Sequence, residues 1–302
     1  MRSYVPEGIL MDTAKNRAAV SDVSRLLAAK EHEDILEARA VMCDSEHNLR
    51  VELPCMEGII PHNEGAIGIA EGTVRDIALL SRVGKPVSFV VSDVLTMPDG
   101  HTRALLSRRR AQQLCKERFL SQLCVGDIIP ARVTRLESFG AFCDIGCGSV
   151  ALLPIACMSV SRISHPRDRV AVGDLLRCMV TSLEEGRICL SLRELLGTWE
   201  ENAALFSQGE TVLGTIRSVE PYGIFVELTP NLAGLAEPFE GARVGQTAGV
   251  FIKSILPEKM KIKLIIIDTH DAAGKPAPLR YFYDGERVTD WQYAPQRMQR
   301  QL

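Results

Sequence analysis

Three times along the 302-residue chain a Val-Gly pair opens an apolar, strand-like run. The runs are Val83-Gly84-Lys85-Pro86-Val87-Ser88-Phe89-Val90-Val91, Val172-Gly173-Asp174-Leu175-Leu176-Arg177-Cys178-Met179-Val180 and Val244-Gly245-Gln246-Thr247-Ala248-Gly249-Val250-Phe251-Ile252. Each is followed by a turn and a second strand led by a basic residue: Arg103 to Ser107, Arg187 to Ser191 and Lys261 to Ile265. Apolar runs of this length, bounded by turn residues, predict that every unit ends in a hairpin.

Upstream, the second and third units agree residue by residue at an offset of 83 positions, which relates Gly126 to Gly209 and Phe139 to Tyr222. Both read as two short strands joined through an aromatic-Gly-X-Phe step, Phe139-Gly140-Ala141-Phe142 and Tyr222-Gly223-Ile224-Phe225. In the first unit the matching stretch is Arg39 to Leu53, where His47-Asn48-Leu49-Arg50-Val51 stands in place of that step. About five strands in each 60 to 75 residues, repeated, predict a small Greek-key barrel of the OB-fold kind. Helical spacing appears between the units, at Asp12 to Glu33, Arg108 to Leu123 and Glu194 to Phe206.

The expected fold is therefore mainly β: three tandem five-stranded OB-fold barrels joined by short helices, the first one degenerate. The expected segments are an N-terminal helical segment (1–33), the degenerate barrel (34–110), a helical linker (111–123), the second barrel (124–194), a linker helix (195–206), a shortened third barrel (207–270) and an aromatic-rich tail (271–302). From Phe142 to Gly173 is 31 positions but from Phe225 to Gly245 only 20, so a short helix or loop is expected to be missing from the third barrel. The tail is too short for another barrel; Tyr281, Phe282, Tyr283, Trp291 and Tyr293 read as a hairpin packed on the third barrel or as an extension of a binding surface.

The order of these pieces resembles the RNA-binding module of bacterial ribosomal protein S-one. The resemblance runs from Val125-Gly126-Asp127 through the Phe139 step, Ala151-Leu152-Leu153-Pro154-Ile155 and Val172-Gly173-Asp174 to Arg187-Ile188-Cys189-Leu190-Ser191-Leu192. It returns in Gly209 to Glu237 and Gly245 to Leu264, and weakly in Glu57-Gly58-Ile59-Ile60-Pro61 with Leu106-Ser107-Arg108-Arg109, covering roughly residues 34 to 269. It implies single-stranded RNA as the ligand, with bases stacked on the paired aromatics and basic residues beside them holding phosphate. Unpaired bases expose π-faces, and such stacking is worth about 1–3 kcal/mol per base. The positions so implied are Phe139, Phe142, Tyr222 and Phe225 for stacking, and Arg187, Arg135, Lys261, Arg217, Lys253 and Lys263 for phosphate. On spacing alone, one aromatic of each pair reads as a core residue, since a lone Phe on a strand is buried more often than it is functional. The family often carries a histidine before the Ile-Ser step; here that place holds Pro61, Pro154 and Glu237, and Glu237 would repel phosphate.

Composition refines the picture. With 46% hydrophobic and 24% charged residues the chain can bury cores, and its longest apolar runs are far too short to span a bilayer, so a soluble, cytoplasmic protein with no membrane contact is expected. The net charge of −3 lacks the basicity common in nucleic-acid binders. By unit it is −4 over 31–110, zero over 125–194 and −1 over 207–269, which makes the first unit a poor RNA platform. Nine cysteines, odd in number and never CxxC, argue against a disulfide framework or zinc ribbon; Cys143 and Cys147 come nearest to ligand spacing. The six histidines (32, 47, 62, 101, 165 and 270) form no ligand-like pair in sequence, and no P-loop, HExxH or GxSxG motif is present, so no cofactor, metal or catalysis is expected.

The leading reading is a non-enzymatic single-stranded RNA-binding protein, acting on mRNA in translation with the small ribosomal subunit as a further partner. Two alternatives stay open: an RNA-binding regulator off the ribosome, and a protein-interaction scaffold that kept the barrels and lost RNA.

Overall fold

The computed structural model describes residues 4–96, 102–184, 186–271 and 278–294; the outer parts of the tail, 272–277 and 295–302, lie outside them. Three closed five-stranded barrels follow one another. The first is built from β1 (Leu36–Cys43), β2 (Leu49–Leu53), β3 (Met56–Ile60), β4 (Pro86–Thr96) and β5 (Thr102–Ser107). The second has β6 (Ile128–Glu137), β7 (Gly140–Asp144), β8 (Val150–Pro154), β9 (Leu175–Glu184) and β10 (Arg187–Ser191). The third has β11 (Thr211–Glu220), β12 (Gly223–Thr229), β13 (Leu232–Ala236), β14 (Thr247–Leu256) and β15 (Lys261–His270). In each, the last two strands pair antiparallel and the fifth closes the barrel by pairing parallel with the third.

Alternation sets the faces. Along β15, Ile262, Leu264 and Ile266 are buried while Lys261, Lys263 and Ile265 are exposed, the period-2 pattern of a strand with one dry face. The repeated Val-Gly pairs have a conformational cause: Gly84, Gly173 and Gly245 adopt φ of 78°, 97° and 91°, a region open to glycine at little cost. The N–H of each donates to a carbonyl of its barrel's first strand, at Ala40, Val133 and Ile216 (2.7–2.8 Å). Register shifts in β1 and β11 lie within two residues of those carbonyls. Such bulges bend and twist a strand, as closure of a small barrel requires. On the third strand, a Cβ at Gly58 or Gly234 would overlap Leu106 or Leu264 on the fifth strand, so the parallel closure demands a small residue there.

The helical stretches are shorter than their sequence spacing suggests. Asp12 to Glu33 holds two helices, α1 (Ala14–Val20) and α2 (Val23–Glu31), capped by Thr13 and Asp22. Between β3 and β4 lies α3 (Ile77–Leu80), and after β5 comes α4 (Arg108–Arg118), capped by Ser107. Glu194 to Phe206 contains only α5 (Trp199–Ala203), with a capping box of Thr198 and Glu201. Between β13 and β14 the chain makes turns without a helix, whereas β3–β4 and β8–β9 carry helical turns. Among the described residues no helix is long and apolar enough to cross a membrane.

The residues cluster into two compact units. The first comprises Met1–Leu123 with Pro130–Arg132 and Asp144–Val150, the second Cys124–Ile129, Val133–Cys143 and Ala151–Leu302. Within the first, buried Glu37 accepts hydrogen bonds from the backbone N–H groups of Gly8, Leu10 and Met11 and fastens the N-terminal segment. Glu7 takes the Arg108 guanidinium at 2.7 Å, and the Glu7 N–H donates to Asp144.

Within the second, buried Glu227 on β12 accepts two arginines at once. Arg169, between β8 and β9, donates to both carboxylate oxygens at 2.8 Å, and Arg217 on β11 does the same at 2.9 and 3.0 Å. Beside this contact Asn231, fully buried, accepts from the Val160 N–H and donates to the carbonyls of Arg193 and Gly197. The second and third barrels are thus joined by buried, directed polar contacts. The tail lies mainly on the second barrel: Arg177 on β9 donates to the carbonyls of Tyr283 and Gly285, and the N–H of Ile128 to Glu286. Among the described residues of the tail, Tyr293 packs against the core of the third.

Burial alone would raise the Glu227 carboxyl, but hydrogen bonds from Arg169 and Arg217 outweigh it and hold the group below its ordinary 4.5. A carboxyl with a depressed native pKa contributes stability that is present above its unfolded value and lost as pH falls through the native one. Glu227→Gln, which leaves two buried guanidiniums without a counter-charge, is expected to cost about 3–5 kcal/mol in urea denaturation at pH 7. It is also expected to flatten the fall in stability that the unchanged protein should show as pH drops below 4.5. A variant as stable as the parent would remove Glu227 from this role.

Candidate nucleic-acid interface

The aromatic steps sit at the turns joining the first two strands of the second and third barrels. Tyr222 stands in the turn between β11 and β12, 68% exposed, and half-buried Phe225 follows on β12. Their rings meet edge to face, centroids 6.4 Å apart and planes at 87°. In the second barrel Phe139 is 53% exposed and Phe142 half-buried, with centroids 6.0 Å apart and planes at 88°. The ring quadrupole favours such a T-shape.

Strand register continues these pairs into a row. In the third barrel Phe225 pairs with Leu235, Leu235 with Lys263, and Lys263 with Ser254, so an aromatic, an aliphatic and a cation line one outward face. Lys261 lies two residues before Lys263 and shares its outward side. In the second barrel Leu152 occupies the place of Leu235 at the same 83-residue offset and pairs with Cys189, with Arg187 two residues before it. Leu152 and Leu235, which sequence reasoning left out, complete the two rows; the offset itself is the signal that finds them. Arg187, Lys261 and Lys263 are exposed, and each has no ion pair among the described residues.

The remaining cations are placed differently. Arg135 lies with its guanidinium carbon 4.7 Å from the Phe142 ring centroid and pairs with Glu137 at 3.0 Å, which puts it at the aromatic step. Lys253 is exposed but bound to Glu237 at 3.3 Å, so the carboxylate expected to repel phosphate is neutralised locally. An exposed pair of this kind is worth at most about 1 kcal/mol and yields readily to a competing anion. Arg217 is not brought to the aromatic step: its side chain is 14% exposed and doubly bonded to Glu227.

The first barrel carries a different surface at the same turn. His47 lies between β1 and β2 and Arg50 on β2 pairs with Glu57. Although the histidines show no ligand-like spacing in sequence, the fold brings His47 and His62 together, ring centroids 5.8 Å apart, with Asp76 between them. Cys143 and Cys147, the cysteines nearest to ligand spacing, are both buried, and the thiol of Cys147 is pushed up by a hydrogen bond with Cys115 and by burial.

Residues 123–193 match the model of the S1 RNA binding domain. The chain is 29% identical over 234 residues to the small ribosomal subunit protein bS1 of Leuconostoc lactis, covering 72% of this chain and 52% of that protein. It is 30% identical over 199 residues to the small ribosomal subunit protein bS1 homolog of Bacillus subtilis, covering 60% and 51%. The chain thus spans about half the length of the curated relatives it matches. Among solved structures, a multidomain protein with nucleic acid binding domains from Streptococcus pneumoniae is 15% identical, covering 78% of this chain and 74% of that one with a TM-score of 0.26.

If Phe139 and Tyr222 serve the surface and not the core, truncating them leaves no cavity. Phe139→Ala and Tyr222→Ala are each expected to shift the urea midpoint by the equivalent of about 0.5 kcal/mol or less, as exposed side chains do. A loss of about 3–5 kcal/mol, the cost of emptying a packed aromatic site, would mark them as structural instead.

Proposed function

We propose, from the premise that this chain is a member of the S1-like family, that its second and third barrels bind single-stranded RNA by stacking bases on Phe139–Phe142 and Tyr222–Phe225. The carrying observation is that two turns 83 residues apart hold the same edge-to-face aromatic pair, one ring exposed in each, beside exposed cations. An exposed ring on a rigid turn offers a π-face to an unpaired base, which a base pair inside a duplex does not present. Arg187, Lys261 and Lys263 supply phosphate contacts next to the rings, and Arg135 and Lys253 join them on release from Glu137 and Glu237. The buried junction at Glu227 and Asn231 holds both barrels on one body, so a strand bound by one is presented to the other at high effective concentration. The protein acts by binding and not by catalysis. The relatives' name, small ribosomal subunit protein, supports messenger RNA in translation as the ligand's setting, with the small subunit as a partner in the cytoplasm.

The first barrel stands apart from this surface. His47 and Arg50 hold the places of the two aromatics, Arg50 is paired with Glu57, and its stretch of chain is net negative.

Fluorescence anisotropy with a labelled single-stranded RNA tests the stacking directly. Phe139→Ala with Phe142→Ala in the full chain is expected to weaken binding about five- to a hundredfold, the loss of stacking for one base. Circular dichroism confirms that the barrel persists. Unchanged affinity in the folded double variant would sink the mechanism.

A further inference from the structure

We propose that His47, His62 and Asp76 of the first barrel form a binding site for a divalent transition-metal ion of the zinc class. Their ligand atoms, one from each side chain, lie no farther than 4.8 Å apart. His62 Nε2 is 2.7 Å from Asp76 Oδ1, and His47 Nδ1 is 3.7 Å from Asp76 Oδ2. A tetrahedral zinc ion with bonds of about 2.0–2.1 Å places its ligand atoms about 3.3 Å apart. Rotation of exposed side chains covers that difference without backbone movement.

Each ligand arrives from a separate piece of chain, and the backbone fixes all three. His47 sits in the β1–β2 turn with φ of 62°, a conformation uncommon outside glycine and tolerated where the surroundings impose it. Asp44 imposes it: its carboxylate accepts from the N–H groups of Glu46 and Asn48 and from the Asn48 side-chain amide. The Asn48 side-chain carbonyl in turn accepts from the His62 N–H at 3.0 Å, tying the second ligand to the turn that carries the first. Asp76 occupies the N-cap of α3, where an aspartate ordinarily accepts from its own helix. Here it makes no capping bond and faces the histidines. The hydrogen bond from His62 holds its carboxyl below the ordinary range.

Donor type selects the ion. Two imidazoles and one carboxylate suit zinc, nickel, copper or iron, whereas magnesium and calcium favour all-oxygen shells. The side chains of His47 and His62 are 39% exposed and that of Asp76 46%, so an ion reaches them from solvent and keeps an open position for water or an anionic ligand. The net charge of −4 over 31–110 attracts a cation to this barrel. The metal therefore occupies the turn where the other two barrels carry Phe139 and Tyr222.

Titration of the full-length, metal-free protein with Zn2+ and with Co2+ tests this. The wild type is expected to bind one equivalent at this site and to show the visible bands of nitrogen- and oxygen-ligated cobalt without a thiolate charge-transfer band. His62→Ala, His47→Ala and Asp76→Asn are each expected to weaken that equivalent at least tenfold, with circular dichroism reporting the fold. A readout on the wild type alone guards against misfolded variants: two histidine Cε1–H signals in proton NMR should shift or vanish at one equivalent of Co2+. No such equivalent, no histidine response, or equal affinity in the folded variants would overturn the site and leave a His–Asp hydrogen bond that only ties loops together.

Discussion

One buried carboxylate holds the candidate RNA surface in register. Glu227 lies on the third barrel and takes Arg217 from its own barrel and Arg169 from the second, both through paired hydrogen bonds. Burying three charges is costly, and the arrangement persists because each oxygen of the carboxylate is satisfied twice and the guanidinium fork matches it. Without the second arginine the contact would be an ordinary pair within one barrel. With it, two domains that each close their own sheet become one body, and Asn231 fills the rest of the seam with bonds to Val160, Arg193 and Gly197.

The same scaffold carries three different surfaces. The glycine turns, the first-strand bulges and the parallel closure recur, and these are the features that make a small barrel close. What varies is the turn between the first two strands and the residues flanking it. Phenylalanines stand there in the second barrel, tyrosine and phenylalanine in the third, histidine and arginine in the first. Since the turn projects from the sheet, its side chains can change without disturbing the core, which is how one fold supports several ligand chemistries.

Much of this was legible in the chain. Val-Gly recurrence marked the openings of strands, and the 83-residue offset placed the aromatic steps at equivalent joints between strands. The repeat also put Lys261 in the place of Arg187 at the head of the last strand, where both prove exposed. Arg217 escaped such reasoning for a definite cause: it stands 82 and not 83 positions after Arg135, and a one-residue shift along a strand turns a side chain to the other face. Ser218, not Arg217, is the true counterpart, and Ser218 pairs with Phe225. The other arginine on Glu227, Arg169, is 58 residues from it, a distance over which no local pattern speaks. The histidine cluster was hidden likewise, because His47, His62 and Asp76 meet only once two turns and a helix start are folded against one another. The tail's aromatics gave no sign that Arg177 on β9 would hold it to the second barrel.

On this proposal, rings and cations of the second and third barrels read an unpaired strand. Its most direct measurement compares labelled single-stranded RNA with duplex RNA of the same length, titrated with the full chain at two salt concentrations. A clear preference for the single strand is expected, with an affinity that falls as salt rises at a logarithmic slope of about −0.7 for each phosphate neutralised. Equal binding of duplex and single strand, or no binding of the single strand at low salt, would contradict it.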